Sequence, residues 1–224
     1  MASTVDLAGV QALLERDAQL VEVLPQDEYD ELHLPGAINL PLKQLDAEHA
    51  ARLERGRPVV VYCWDALCDM SPRAAVALAE LGFEVYDYAL SKVDWMAHGL
   101  PMEGTAADRP TALSFARDDV ATCALDESAQ TVRRLIDASP HGFALVLADR
   151  VVLGRVRRSH VEAATHATPA RDVMEPGPST TRPHTDPAEV AKALQRSGAK
   201  TAILTTPEGE LLGVVRRDDL PIGS

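Results

Sequence analysis

Cys63 and Cys68, in the stretch VVVYCWDALCDMSPRAA, are the residues whose type and spacing most suggest covalent chemistry. A thiolate is a strong nucleophile, and a free cysteine with a pKa near 8.5 is activated when a helix N-terminus or a cation lies beside it. Cys63 closes the apolar run Val59–Tyr62, and a helical pattern begins a few residues later. A helix start presents unpaired N–H groups and about half a positive charge, which favours anionic sulfur. A loop curled around that sulfur can donate further backbone N–H groups to a persulfide or a bound oxyanion. The competing reading makes Cys63 a small buried hydrophobe at a strand end. Cys68 has three readings: it resolves an oxidised Cys63 through a disulfide, it is itself the nucleophile, or it packs the loop. A zinc site is not expected, because no second Cys/His pair at ligand spacing completes four ligands. A phosphatase-type Cys-x5-Arg loop is also absent. The sixth position after Cys63 is Asp69 and after Cys68 is Ala74, while Arg73 falls one short and is read as lining the pocket.

These residues need a scaffold. Val21–Leu24 and Val59–Tyr62 read as buried strands, PRAAVALAELGF as a helix ending at Gly82, and FEVYDY as a further short strand. Strands alternating with helices predict a parallel α/β sheet. Active sites in such sheets lie beyond the carboxyl ends of the strands, where Cys63 falls. The net charge of −12 argues against broad attraction to nucleic acid or anionic lipid. No apolar stretch reaches the roughly 18 residues that span a bilayer, and MASTVDLAGV has no secretory-signal pattern. Three cysteines do not make a disulfide framework. The expected setting is therefore the cytoplasm, with no membrane and no nucleic-acid partner.

Beyond residue 107 the chain repeats. PTALSFARDDVATCALDESAQTVRRLIDASPHGFALVLADRVVLGRVRRSHV aligns without a gap on PARDVMEPGPSTTRPHTDPAEVAKALQRSGAKTAILTTPEGELLGVVRRDDL. Pro110 falls on Pro169, Leu145 on Leu204, Gly154 on Gly213, and Arg157-Arg158 on Arg216-Arg217. Each copy reads as a polar cap, an amphipathic helix and two β-rich runs, the last pair joined by PEGE. Such a unit cannot bury both faces alone, so the copies are expected to pack on each other. Cys123 falls on Arg182 in the alignment and is read as structural.

Two resemblances follow from these residues. HLPGAINLP, the strand-loop-helix around Cys63, and WMAHGLPMEG with Trp95, Gly99 and Pro101 resemble a single rhodanese (sulfurtransferase) domain over residues 1–104. The resemblance implies that Cys63 carries sulfur as a persulfide, taken from a donor such as thiosulfate and passed to a thiol or cyanide. Trp64, Asp65, Ala66 and Leu67 would then form the substrate-binding loop, with Cys68 and Arg73 as further catalytic candidates. Three departures stand out. Leu24 replaces the basic residue of the usual acidic-apolar-basic start, and Leu90-Ser91 replaces the paired glycines before the tryptophan. Ser71 and Ala74-Ala75 also lie about two positions further from Cys63 than in the common loop. That leaves a larger pocket or one occupied by Cys68.

The repeated half resembles a CBS-domain pair, or Bateman module, with copies at 107–165 and 166–224. The fold class expected is thus α/β, a rhodanese-like parallel sheet flanked by helices, followed by a tandem α+β CBS pair. The resemblance implies an adenosine nucleotide (AMP, ADP or ATP) as regulator, Asp219 contacting the ribose, and a homodimer formed through the pair. Arg216 stands where a hydroxyl residue is usual, and Arg157 and His160 hold the equivalent places in the first copy. All four are nucleotide-site candidates. No cofactor is required for the chemistry itself. The alternative reading makes the front half a weakly catalytic redox or binding module in a nucleotide sensor.

Overall fold

The computed structural model describes residues 3–221 and divides into one unit ending at Arg109 and a second beginning at Pro110. In the first, the elements run β1 (Ser3–Thr4), α1 (Leu7–Leu14), β2 (Gln19–Glu22), α2 (Gln26–Glu31), β3 (Ile38–Asn39), α3 (Ala47–Ala50), β4 (Val59–Tyr62), α4 (Met70–Glu80), β5 (Val85–Asp87) and α5 (Ser91–Ala97). Its sheet has the order β1-β5-β4-β2-β3, and every pairing is parallel. This is the parallel α/β sheet expected from the sequence.

The central strand explains the site. All four residues of β4 are buried, as a parallel strand covered on both faces requires. Side chains alternate across a strand. Val59, Val61 and Cys63 accordingly enter one apolar cluster with Ala74, Ala75 and Leu78 of α4. Val60 and Tyr62 enter the opposite cluster with Val10, Leu13 and Trp95. Cys63 lies one residue past the strand's end, fully buried, on the α4 face.

The second unit contains β6 (Ala121–Ala124), α6 (Ala129–Ala138), β7 (Phe143–Ala148), β8 (Val151–Arg157), α7 (Arg158–Ala163), α8 (Ala170–Val173), β9 (Glu175–Pro176), β10 (Thr180–Thr181), α9 (Pro187–Ser197), β11 (Thr201–Thr205) and β12 (Leu211–Arg216), closed by a 3-10 turn at Arg217–Asp219. The helix starts are capped by side chains, Ser128 on α6 and Asp186 on α9, as their polar lead-ins foretold. The sheets are β6-β7-β8-β9 and β10-β11-β12. Val120 and Leu145 meet Ile203 and Val214 in one buried cluster, so the two copies do pack on each other.

The copies also exchange their lead-in segments. Ala112 and Leu113 donate backbone hydrogen bonds to Thr185 and Pro183, and Arg117 pairs reciprocally with Val214. In the other direction Ala170 donates to Glu127, and β9 pairs with β8. Each β-hairpin is thus flanked by a strand-like stretch from the partner copy. Close approach of that stretch requires glycine: a Cβ on Gly213, whose φ is +142°, would stand 2.7 Å from the Arg117 carbonyl oxygen. Gly213→Ala is therefore expected to destabilise the protein by about 1–3 kcal/mol, read as a lower midpoint in urea unfolding. An unchanged midpoint would mean that the Arg117 strand yields freely.

Candidate active site

Cys63 is enclosed from three sides. The first turn of α4 brings the Ser71 hydroxyl to 3.5 Å from Sγ. On another side the Cys63 N–H donates to Ser91 Oγ at 3.0 Å, and that hydroxyl donates to the Tyr88 carbonyl at 2.9 Å. Ser91 adopts a left-handed backbone, φ +59°, a conformation that glycine takes at no cost. Replacement of the usual glycine by serine thus adds a polar contact to the nucleophile's own backbone. The loop completes the enclosure with the carbonyls of Asp65 and Cys68, at 3.8 and 3.7 Å from Sγ.

The loop N–H groups, expected to serve a persulfide or a bound oxyanion, are engaged within the loop itself. Leu67 and Cys68 donate their N–H groups to the Asp65 carboxylate at 2.9 and 3.1 Å. The N–H groups of Trp64 and Met70 face the Cys68 sulfur instead. Nearby charge and sulfur within the loop itself take the donors first. Burial pushes the Cys68 thiol up, and contact with Cys63 adds to the rise, against those two N–H groups. Cys68 therefore occupies part of the lengthened loop, half-buried and touching Cys63.

The other candidates are spread around the loop. Trp64 is half-buried, its carbonyl accepting the Val93 N–H and its ring facing the Lys92 ammonium at 5.5 Å. Ala66 is exposed and Leu67 is 93% exposed. Arg73 is exposed and paired with Asp69 at 3.4 Å. It lines a cavity of about 360 Å³ with Val23, Leu42, Lys43 and Met70.

Two buried groups were not singled out by the sequence. Lys92 and Glu22 form a fully buried ion pair at 2.6 Å. Burial pushes the Glu22 carboxyl up and the ammonium pulls it part of the way back. The positive partner of Glu22 is thus supplied from α5. The other group is Asp87, at the end of β5. Its Oδ1 has no hydrogen-bond partner among the described residues.

In the second unit, the nucleotide candidates separate. Asp219 pairs with Arg117 at 3.5 Å, and Arg117 also holds Asp119, lowering that carboxyl to about 2 together with His141. Arg157 and His160 instead converge on Glu175, at 3.0 and 3.6 Å, beside Arg155. Arg216 ends β12, half-buried.

A rhodanese-like domain model matches residues 6–98, and a CBS domain model matches residues 170–220. The thiosulfate sulfurtransferase GlpE of Coxiella burnetii is 34% identical over 93 residues, which span 41% of this chain and 84% of that protein. The HTH-type transcriptional regulator Rv0324 of Mycobacterium tuberculosis is 38% identical over 87 residues, 39% of this chain and 38% of the regulator. The chain therefore spans well under half of that regulator's length. The solution structure of the rhodanese-like domain of Anabaena Alr3790 is similar at 25% identity and a TM-score of 0.43, covering 49% of this chain and 84% of that one. The fold and site define a rhodanese-type α/β domain followed by a CBS-like region. The chain belongs to the rhodanese-like, sulfurtransferase-like family, with a CBS domain after it.

Asp87 gives this site a pH signature. Burial pushes its carboxyl up, opposed by a hydrogen bond with Ser71. A carboxyl whose folded-state pKa is raised stabilises the fold fully below its unfolded value of about 3.9, and that contribution is lost as pH rises through the folded-state pKa. Asp87→Asn is expected to melt above the wild type at about pH 7, with the gap closing toward about pH 4. A gap of equal size at both would remove ionisation as the cause.

Proposed function

We propose that the first unit transfers sulfane sulfur, with Cys63 as its carrier. The observation that carries this reading is the enclosed thiol at the carboxyl end of β4, against the Ser71 hydroxyl of α4 and fixed through its backbone by Ser91. The relation to a thiosulfate sulfurtransferase over most of that protein's length supports it. In the first step the Cys63 thiolate attacks the outer sulfur of thiosulfate. A new S–S bond forms, the old one breaks, and sulfite leaves with the electron pair. In the second step a thiol or cyanide attacks the outer persulfide sulfur, and Cys63 departs as thiolate. Trp64 and Arg73 shape the entrance, and Cys68 stands by as a second thiol. A reducing cytoplasm suits these free cysteines.

Incubation with thiosulfate should add one sulfur atom, located on Cys63 by peptide mass spectrometry. Cys63→Ser should abolish the adduct, and Cys68→Ser should retain most of it. Sulfur found on Cys68 alone would reverse the assignment. One observation favours the second reading, a weakly catalytic redox or binding module: Cys63 is fully buried while Cys68 and Asp65 take the loop's donors. Negligible thiosulfate:cyanide turnover would select it.

The second unit, in this proposal, is a nucleotide-responsive CBS pair with copies at 107–165 and 166–224, which also forms a homodimer. Asp219 is the ribose contact. Arg117, rather than Arg157 or His160, is the cation beside it. AMP, ADP or ATP at about 100 times its dissociation constant should stabilise the protein by roughly 2.7 kcal/mol. Asp219→Ala should reduce the rise in melting temperature, and calorimetry should count one site per chain. Absence of any shift at millimolar nucleotide would leave the pair with a structural role.

A further inference from the structure

Asp87 is a carboxyl that the fold would be more stable without. It closes β5, is only 7% exposed, and its Oδ1 has no hydrogen-bond partner among the described residues. Buried groups whose proton affinity is shifted in this way collect at functional sites. Strand register sets where it points. Asp87 pairs with Val61 of β4, and side chains alternate along each strand. Val61, Val85 and Cys63 all enter the cluster under α4, so Asp87 faces α4 from the strand beside the nucleophile's. There it is hydrogen-bonded to Ser71. Ser71 is fully buried, and its Oγ stands 3.5 Å from Cys63 Sγ as acceptor of the thiol proton. A hydroxyl accepts one hydrogen bond while donating its own. Ser71 thus joins Cys63 to Asp87 in one buried chain. The Ser91 hydroxyl also lies beside the sulfur, at 3.8 Å, but it ends on the Tyr88 carbonyl, which is no proton store.

Other charges do not compete. On the elements around Asp87, Arg73, Glu80 and Glu84 are exposed, Lys92 is held by Glu22, and Asp94 is held by the Tyr88 hydroxyl and His98. Burial pushes the Asp87 carboxyl up, and Ser71 draws it part of the way back. A raised carboxyl is the stronger base and lies closer to the range in which thiols ionise.

We propose that Asp87 is the proton acceptor for Cys63, acting through Ser71. The inference rests on the sulfurtransferase reading of this site and supplies its base. The Cys63 S–H bond breaks and that proton bonds to Ser71 Oγ, while the Ser71 hydroxyl proton moves to the Asp87 carboxylate. The chain carries one negative charge before and after, passed from carboxylate to sulfur. The thiolate then attacks its donor beside a neutral carboxylic acid rather than a second anion. When Cys63 departs as thiolate in the second step, the protons run back and the chain is reset.

The test separates proton acceptance from like charge. Full-length wild type, Asp87→Asn, Ser71→Ala and the double variant react with neutral iodoacetamide across a pH series. Fragmentation mass spectrometry separates Cys63 from Cys68. At about pH 7 the Cys63 rate is expected to fall roughly tenfold to a hundredfold in Asp87→Asn. Ser71→Ala should fall as far, and the double variant no further, because both changes break one chain. Toward about pH 10 hydroxide takes the thiol proton directly, and the four rates should converge. Unfolding does not mimic the loss, since Asp87→Asn is expected to melt above wild type near neutral pH. A carboxylate acting only as a charge would make Asp87→Asn the faster protein. An unchanged or faster rate in that variant near neutral pH would therefore overturn the role of Asp87. A deficit that persists at high pH would overturn it too, as altered access to the sulfur. Losses that multiply in the double variant would overturn the path through Ser71. A wild type that shows the expected pH series but loads no sulfur from thiosulfate would support the proton path and overturn the sulfur-transfer function.

Discussion

The buried ion pair between Glu22 and Lys92 is the constraint on which the active-site architecture depends. Two charges with no solvent exposure cost several kcal/mol each to desolvate, and only close pairing with additional hydrogen bonds recovers that. Lys92 finds them: Glu22 at the end of β2, the Leu32 carbonyl after α2, and the face of Trp64 in the loop. It thereby ties the start of α5 to three other segments. Ser91, immediately before it, is held where its hydroxyl accepts the Cys63 N–H. Loss of either charge would leave the other buried and unpaired, a cost of about 3–5 kcal/mol, and would release the backbone that fixes the nucleophile.

In the second unit, backbone exchange takes the place of a buried charge. Each copy lends a short stretch to the sheet or hairpin of the other, through the Arg117–Val214 and Glu175–Arg155 pairings. Those contacts bring Arg117 to Asp219 and Glu175 to Arg157 and His160. The charged clusters around Asp219 and Glu175 are therefore drawn from both copies. A reading of one copy alone misses these partners, because Arg117 belongs to the copy opposite Asp219 and Glu175 to the copy opposite Arg157 and His160.

Much was legible in the sequence because it followed from local chemistry. Periodicity placed β4, α4 and β5 to within a residue or two, since a doubly buried strand must be apolar throughout and a helix must show its stripe. The ungapped repeat, Gly154 on Gly213, exposed the tandem copies. Cys63 at the end of an apolar run was readable as a candidate nucleophile for the same reason. What was not legible was direction. The spacing of Cys63 and Cys68 could not say that Asp65 would take the N–H groups of the loop, since a one-residue change in turn conformation redirects each donor.

The sequence by itself determined the elements, their order and the family they resemble. Those are set by side-chain pattern over short stretches. Only the tertiary structure decided that Lys92 pairs with Glu22, that Ser91 braces Cys63, and that Arg117 faces Asp219. Each of these pairs joins residues far apart in the chain. Their meeting depends on strand register, the crossover between parallel strands and the exchange of segments between copies, which no local pattern encodes.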